Sequence, residues 1–242
     1  MSQLFWRRYP AAGPATVVLL HGWAGDSSLW ERAGVTAALE RAGIAALAAD
    51  LPGHAGSAEL GIPGTRDPAA WASQAVAADL HGFGVRSCAV VGFAEGGMVA
   101  AHLAVGDDVP VTRLGLLASD DRNRPPQAEE AASALRDPRA RLWTPEASDL
   151  VARVRAGRSH DPAVLATWLE RARWPAAARL GAVPMPVLVA TGGDDPLRDR
   201  APQLAALFRD GHLVTAPGSG EGALASAELH EALVAFLTAE EA

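Results

Sequence analysis

Short apolar runs alternate along the chain with longer segments whose apolar residues recur at helical spacing. The runs Leu4–Tyr9, Thr16–Leu20, Ala45–Asp50, Cys88–Phe93, Leu114–Ala118, Val187–Thr191 and His212–Thr215 read as strands. Most are apolar throughout rather than alternating, which suits strands buried on both faces of a parallel sheet. Between them, Leu29–Ala42, Pro68–Phe83, Glu95–Val105, Ala201–Phe208 and Ala225–Ala239 read as helices. This βα alternation predicts an α/β fold: a doubly wound, mostly parallel sheet with helices on both faces. The rhythm breaks over Asp120–Met185, a stretch rich in Arg, Pro and Trp without a strand candidate. The expected organisation is therefore a core over residues 1–119, a helical lid insert over 120–185, and the rest of the core over 186–242.

Composition narrows the function classes. The chain has 242 residues, 49% of them hydrophobic, enough for one large domain with a modest insert. Its net charge of −7 and the lack of any basic run argue against nucleic-acid or anionic-membrane partners. All 21 basic residues are arginine, so Schiff-base and Ser-Lys chemistry and a Walker lysine are excluded. The one cysteine, Cys88, opens an apolar run and reads as an inert core thiol. The first residues, MSQLFWRRYP, lack the apolar core of a signal peptide, and no window is long enough for a membrane span. A cytoplasmic protein that needs no cofactor and no metal is expected, with a small molecule as its partner; oligomeric state is not legible.

Four local patterns stand at strand ends in a fixed order. They are Leu19-Leu20-His21-Gly22-Trp23-Ala24-Gly25, Asp50-Leu51-Pro52-Gly53-His54, Gly92-Phe93-Ala94-Glu95-Gly96-Gly97 and Thr191-Gly192-Gly193-Asp194-Asp195-Pro196-Leu197. Together they resemble the α/β-hydrolase superfamily, in particular its small carboxylesterases and thioesterase-like members. The third pattern has the form of the G-x-S-x-G nucleophile elbow, a sharp strand-to-helix turn that needs small flanking residues. Its middle position is Ala94, so the attacking hydroxyl is absent.

The resemblance implies roles for the other positions. The backbone N–H groups of Trp23 and Glu95 would form the oxyanion hole, and Asp195 would be the acid of the triad. The turn before the last helix, Gly218-Ser219-Gly220-Glu221-Gly222, carries Glu221 where the family has its histidine. Two of the three triad positions are therefore substituted. Of the remaining histidines, His21 matches a structural residue of the oxyanion loop and none is marked as a replacement base. Ser219 has no strong base beside it and reads as a turn residue. Asp120 and Asp121 lie where some hydrolases keep their acid and read as ordinary polar residues of a strand end. Trp143, Trp168 and Trp174 in the insert are expected to pack the lid and roof a pocket.

Glu221 beside Asp195 would put two carboxyls in one site, where one of them should hold a proton and act as a general acid or base. Three readings stay open. The first is an atypical enzyme that acts on a small carbonyl compound by this acid–base pair, with a retained oxyanion hole. The second is a non-catalytic, ligand-binding pseudo-hydrolase. The third is an ordinary serine esterase inactivated by a Ser→Ala replacement, which explains Ala94 but leaves Glu221 without a reason.

Overall fold

The computed structural model describes residues 3–11, 16–123, 125, 127–156 and 159–239. Seven strands form one sheet: β1 (Trp6–Tyr9), β2 (Thr16–Leu20), β3 (Ala45–Ala49), β4 (Cys88–Phe93), β5 (Val111–Leu117), β6 (Val187–Gly192) and β7 (Gly211–Ala216). Their spatial order is β1-β3-β2-β4-β5-β6-β7. β1 runs antiparallel to β3 and every other pairing is parallel. The expected mostly parallel α/β sheet is what the chain forms.

Two apolar layers cover the sheet, and alternate strand residues enter each, as the period of two demands. Val18, Leu20, Val90, Leu116 and Val189 face one layer; Val17, Leu19, Val91, Leu117 and Leu188 face the other. The helices are α1 (Leu29–Arg32), α2 (Val35–Arg41), α3 (Pro68–Gly82), α4 (Glu95–Ala104), α5 (Ala128–Arg136), α6 (Pro145–Ala156), α7 (Pro162–Arg171), α8 (Ala177–Leu180), α9 (Ala201–Ala205), α10 (Gly220–Leu224) and α11 (Ala227–Thr238). Four of them, α5 to α8, lie between β5 and β6, where the sequence shows no strand pattern. No helix among the described residues is long and apolar enough to cross a membrane.

Local chemistry sets the helix starts. Asp67 and Asp161 each precede a proline at the first helical turn, and each side chain accepts two backbone N–H bonds there. Such caps satisfy donors that the helix itself leaves open.

Where expected elements differ in extent, two cases have a clear local cause. The helix expected over residues 29–42 is broken into α1 and α2, because Gly34 adopts φ +77°, a left-handed conformation incompatible with a continuing helix. β5 begins earlier than its apolar run, at Val111, since Arg113 sits within it. That arginine is buried, lies over the Phe236 ring and donates to the Ala239 carbonyl, so a charged residue occupies a strand position.

Candidate functional site

The turn from β4 into α4 is built by close backbone approach. A Cβ on Gly92 would lie 2.3 Å from the Gly96 carbonyl oxygen, and one on Gly96 would lie 2.2 Å from that of Leu20. Only glycine fits at either place. Ala94, between them, is held at φ 49° and ψ −119°, a strained conformation for a residue with a side chain. Its N–H donates to Leu117 O at 2.8 Å, its carbonyl accepts from Gly97 N–H at 2.9 Å, and the Ser119 hydroxyl lies 3.1 Å from the same carbonyl. The tip of the elbow is thus fixed from both neighbouring elements and presents only a methyl group.

The loop after β2 passes beside this tip. Gly22 would bring a Cβ to 3.0 Å from that of Ala94. His21 is fully buried; its Nε2 accepts from Leu51 N–H at 2.9 Å, so its Nδ1 is the donor to Gly22 O at 2.8 Å. This neutral tautomer fits a ring whose affinity for protons is lowered by burial. Trp23 anchors its indole on the insert, Nε1 donating to Leu165 O at 3.0 Å.

The two N–H groups expected to face an oxyanion are those of Trp23 and Glu95. The Trp23 N–H instead donates to the carboxylate of Glu95, Oε2 at 3.0 Å. A side chain from the first turn of α4 thus folds back onto the Trp23 N–H. Glu95 thus contributes its carboxylate here, where the sequence pointed only to its backbone N–H.

Asp195, in the loop after β6, accepts from Leu197 N–H at 2.8 Å through Oδ1 and from Gly220 N–H at 3.0 Å through Oδ2. It ties that loop to the start of α10. Glu221, on α10, faces outward with its side chain 66% exposed, and Arg32 approaches it at 3.9 Å. No hydrogen bond or ion pair joins Glu221 to Asp195 among the described residues. Each carboxyl has partners of its own instead. Ser219 is exposed at the head of α10, without a side-chain capping bond.

A cavity of about 180 Å³ lies above Ala94, at the carboxyl ends of the strands, where ligands of parallel sheets bind. Its walls include Glu95, Met98, Asp120, Arg122, Leu150 and Trp174. Larger depressions, of about 450 and 640 Å³, open around Val111, Pro184 and Met185 at the opposite end of the sheet, away from every residue of the elbow. Of the three tryptophans expected over the site, only Trp174 lines the cavity. Trp168 is 2% exposed and donates its Nε1 to Pro52 O at 3.0 Å, so it belongs to the packing between insert and core. Trp143 is 71% exposed with the Arg141 guanidinium 4.4 Å from its ring centre, outside the cavity. Asp120 and Arg122, passed over in the sequence as strand-end polar residues or not noticed at all, do line it. No group of three or more His, Cys, Asp or Glu residues among those described is placed to hold a metal ion.

A model of the alpha/beta hydrolase family matches residues 17–236, and the chain belongs to that family. The enol-lactonase of Burkholderia xenovorans LB400 superposes with a TM-score of 0.79 at 19% identity, covering 98% of this chain and 96% of that one. MenH from S. aureus gives 0.75 at 19% identity, covering 96% and 97%. A hydrolase from Pseudomonas aeruginosa PA01 gives 0.77 at 22% identity, covering 98% and 94%. At these identities the likeness is one of fold. Among curated proteins, none matches the chain.

Proposed function

We propose that this chain is a small-molecule-binding protein on the hydrolase frame that performs no acyl transfer. The observation that carries this reading is the 3.0 Å bond from Trp23 N–H to Glu95 Oε2, directly beside Ala94. Acyl transfer needs a nucleophile, a base and donors open to a developing oxyanion. Here Ala94 supplies no nucleophile, and Glu95 puts a negative charge on one of the two donors. Glu221, in the place of the family's base, has its carboxylate in solvent. We do not adopt the acid–base pair of Glu221 and Asp195, because each carboxylate has partners of its own. What remains is a cavity with a mixed polar and apolar wall, roofed by Leu150 of α6 and by Trp174, with the helical segment between β5 and β6 serving as its lid.

The test is direct. A fluorophosphonate probe leaves the protein unlabelled, and a short-chain aryl ester shows no turnover above background, since dismantling a triad costs roughly six orders of magnitude. Stoichiometric labelling of Ser219, or of any other serine, would overturn the proposal. A second reading, proton transfer by Glu95 itself on a carbonyl compound, is favoured by one observation: Glu95 is half-buried and lines the same cavity as Ala94. It requires that a bound ligand exchange a carbon-bound proton with solvent deuterium in the wild type and cease to do so in Glu95→Gln.

A further inference from the structure

Three imidazole rings stand where the insert meets the core, and two of them accept hydrogen bonds from one loop. The loop after β3 is held at both ends: Leu51 N–H donates to His21 Nε2 at 2.9 Å, and Ala55 N–H to His160 Nδ1 at 3.3 Å. His54 lies between them in the chain, with its Nδ1 donating to Pro52 O at 3.0 Å. Its Nε2 is buried without a hydrogen-bond partner. The His54 ring centre is 4.9 Å from that of His21, 5.6 Å from that of His160 and 5.9 Å from that of Trp168. Asp161 N–H, donating to Gly53 O at 2.9 Å, and Trp168 Nε1, donating to Pro52 O at 3.0 Å, close the same edge.

Only uncharged rings fit this arrangement. A proton on His160 Nδ1 takes the lone pair that the Ala55 N–H uses, and two hydrogens then face each other. A proton on His54 Nε2 creates a buried cation whose new N–H has no acceptor. Asp26 and Asp50 favour a charged His160, and burial outweighs them. Asp26 is bonded to Ser28 and lies 3.6 Å from Arg32, while Asp50 accepts from the Ser27 and Gly56 N–H groups. Asp161, next to His160, is committed to the N–H groups of Ala163 and Val164. The other attachment of the insert differs. There His102 Nε2 donates to Arg173 O at 3.0 Å, and Trp174 donates to Arg122 O and Asn123 Oδ1. None of those bonds uses an imidazole lone pair, so a proton breaks none of them.

We infer that the edge built on His54 and His160 is an acid-released latch, whose protonation parts α7 from the loop after β3 while the sheet stays folded. Opening returns the two rings to water and to an ordinary imidazole value near 6.5. The closed state is therefore favoured above that pH. Below it, the open population rises about tenfold per pH unit for each ring that gains its proton only on opening. α7 leads within a few residues to Trp174 in the cavity wall, so release of this edge alters access to the cavity from one side. The latch is independent of the binding reading given above, and an esterase with the same edge would pass the same test.

The experiment follows amide hydrogen exchange of the 15N-labelled full chain, read as protection relative to the intrinsic rate at each pH. Between pH 6.5 and 5.5 the Ala55 and Asp161 amides lose tenfold or more of their protection. At pH 5.5 they remain at least a hundredfold less protected than Val90 and Val189 of the central strands. Low urea speeds the strand amides and leaves these two nearly unchanged, the mark of a local opening. His160→Asn keeps an acceptor for the Ala55 N–H but takes no proton, so its loss of protection is shallower than that of the wild type. The double variant His54→Leu, His160→Asn, if circular dichroism shows it folded at pH 8, loses less than threefold. Protection that does not change with pH, exchange in step with the strands, or a loss as steep in His160→Asn as in the wild type overturns the inference.

Discussion

Ala94 holds a strained backbone at the tip of the β4–α4 turn and offers only a methyl group, and on the proposed reading its neighbour Glu95 is the reason that a single reversal would not restore chemistry. Ala94→Ser returns the hydroxyl, but no imidazole stands ready to take its proton, and the Trp23 N–H remains bonded to Glu95. The expected outcome is no ester turnover above background for Ala94→Ser. The triple change Ala94→Ser, Glu95→Ala, Glu221→His clears the donor and supplies a base at the turn that Asp195 already grips through Gly220 N–H, so it shows slow but measurable turnover. Steady-state assays of the two variants side by side decide the matter. Full activity from Ala94→Ser alone would mean an ordinary esterase inactivated at one position. At this scale the sequence was legible in part. Gly92 and Gly96 announce the elbow because sterics permit nothing else there. The directions of Glu95 and Glu221 left no such mark: Glu95 is turned by a bond to Trp23, distant in sequence, and Glu221 stands largely in solvent.

The helical insert is joined to the core mainly through α7 and the segment just before it. Asp161 N–H donates to Gly53 O at 2.9 Å, Ala55 N–H to His160 Nδ1 at 3.3 Å, and Trp168 Nε1 to Pro52 O at 3.0 Å. Gly53 is the pivot of this junction: its φ is +82°, and a Cβ there would lie 2.4 Å from Val164 Cγ1. Gly53→Ala therefore combines backbone strain with overpacking and should cost about 3 kcal/mol or more. Val164→Ala on α7 removes the Cγ1 contact but leaves its own Cβ 2.7 Å from the added one, and leaves the strain, so the double variant recovers only a small part of the loss. Urea unfolding of the four proteins closes a double-mutant cycle, and simple additivity would show that the helix and the loop do not meet as described. The elements themselves were largely readable. Strands buried on both faces betray themselves by unbroken apolarity, as in β2 and β4. What misled was local: Gly34 broke a pattern that looked continuous, and Arg113 masked the start of a strand through a contact with Phe236 at the far end of the chain.

For the molecule as a whole, the order of four motifs at strand ends was enough to reach the fold, because in a doubly wound sheet every such loop lies at the same edge. The insert's internal packing was not readable, and with it went the neighbours of the buried histidines, which govern how the protein responds to acid. Burial lowers the proton affinity of His21, His54, His102 and His160, most strongly for His54, where the nearby His21 adds to the effect. His21, His54 and His160 also stand ring to ring, with centres 4.9 and 5.6 Å apart, so protonating one opposes the next. Asp26 and Asp50 lie close enough to favour the charged forms of His21 and His160, yet burial outweighs them. In the unfolded chain all four return to an ordinary imidazole value near 6.5. The unfolded state therefore binds more protons as the pH falls below about 6.5. The stability that depends on neutral histidines is fully present above that point and is lost as the pH drops towards the lowered native values. Each histidine that is protonated only on unfolding contributes about 1.4 kcal/mol per pH unit to the slope. Urea midpoints measured from pH 8 down to pH 5, above the range where ordinary carboxylates titrate, should hold steady at first and then decline. His54→Leu, which removes one member of the cluster, should make the decline shallower even if the variant is less stable at pH 8. A midpoint that stays flat to pH 5, or a decline unchanged in His54→Leu, would show that these rings are not held neutral by the packing between insert and core.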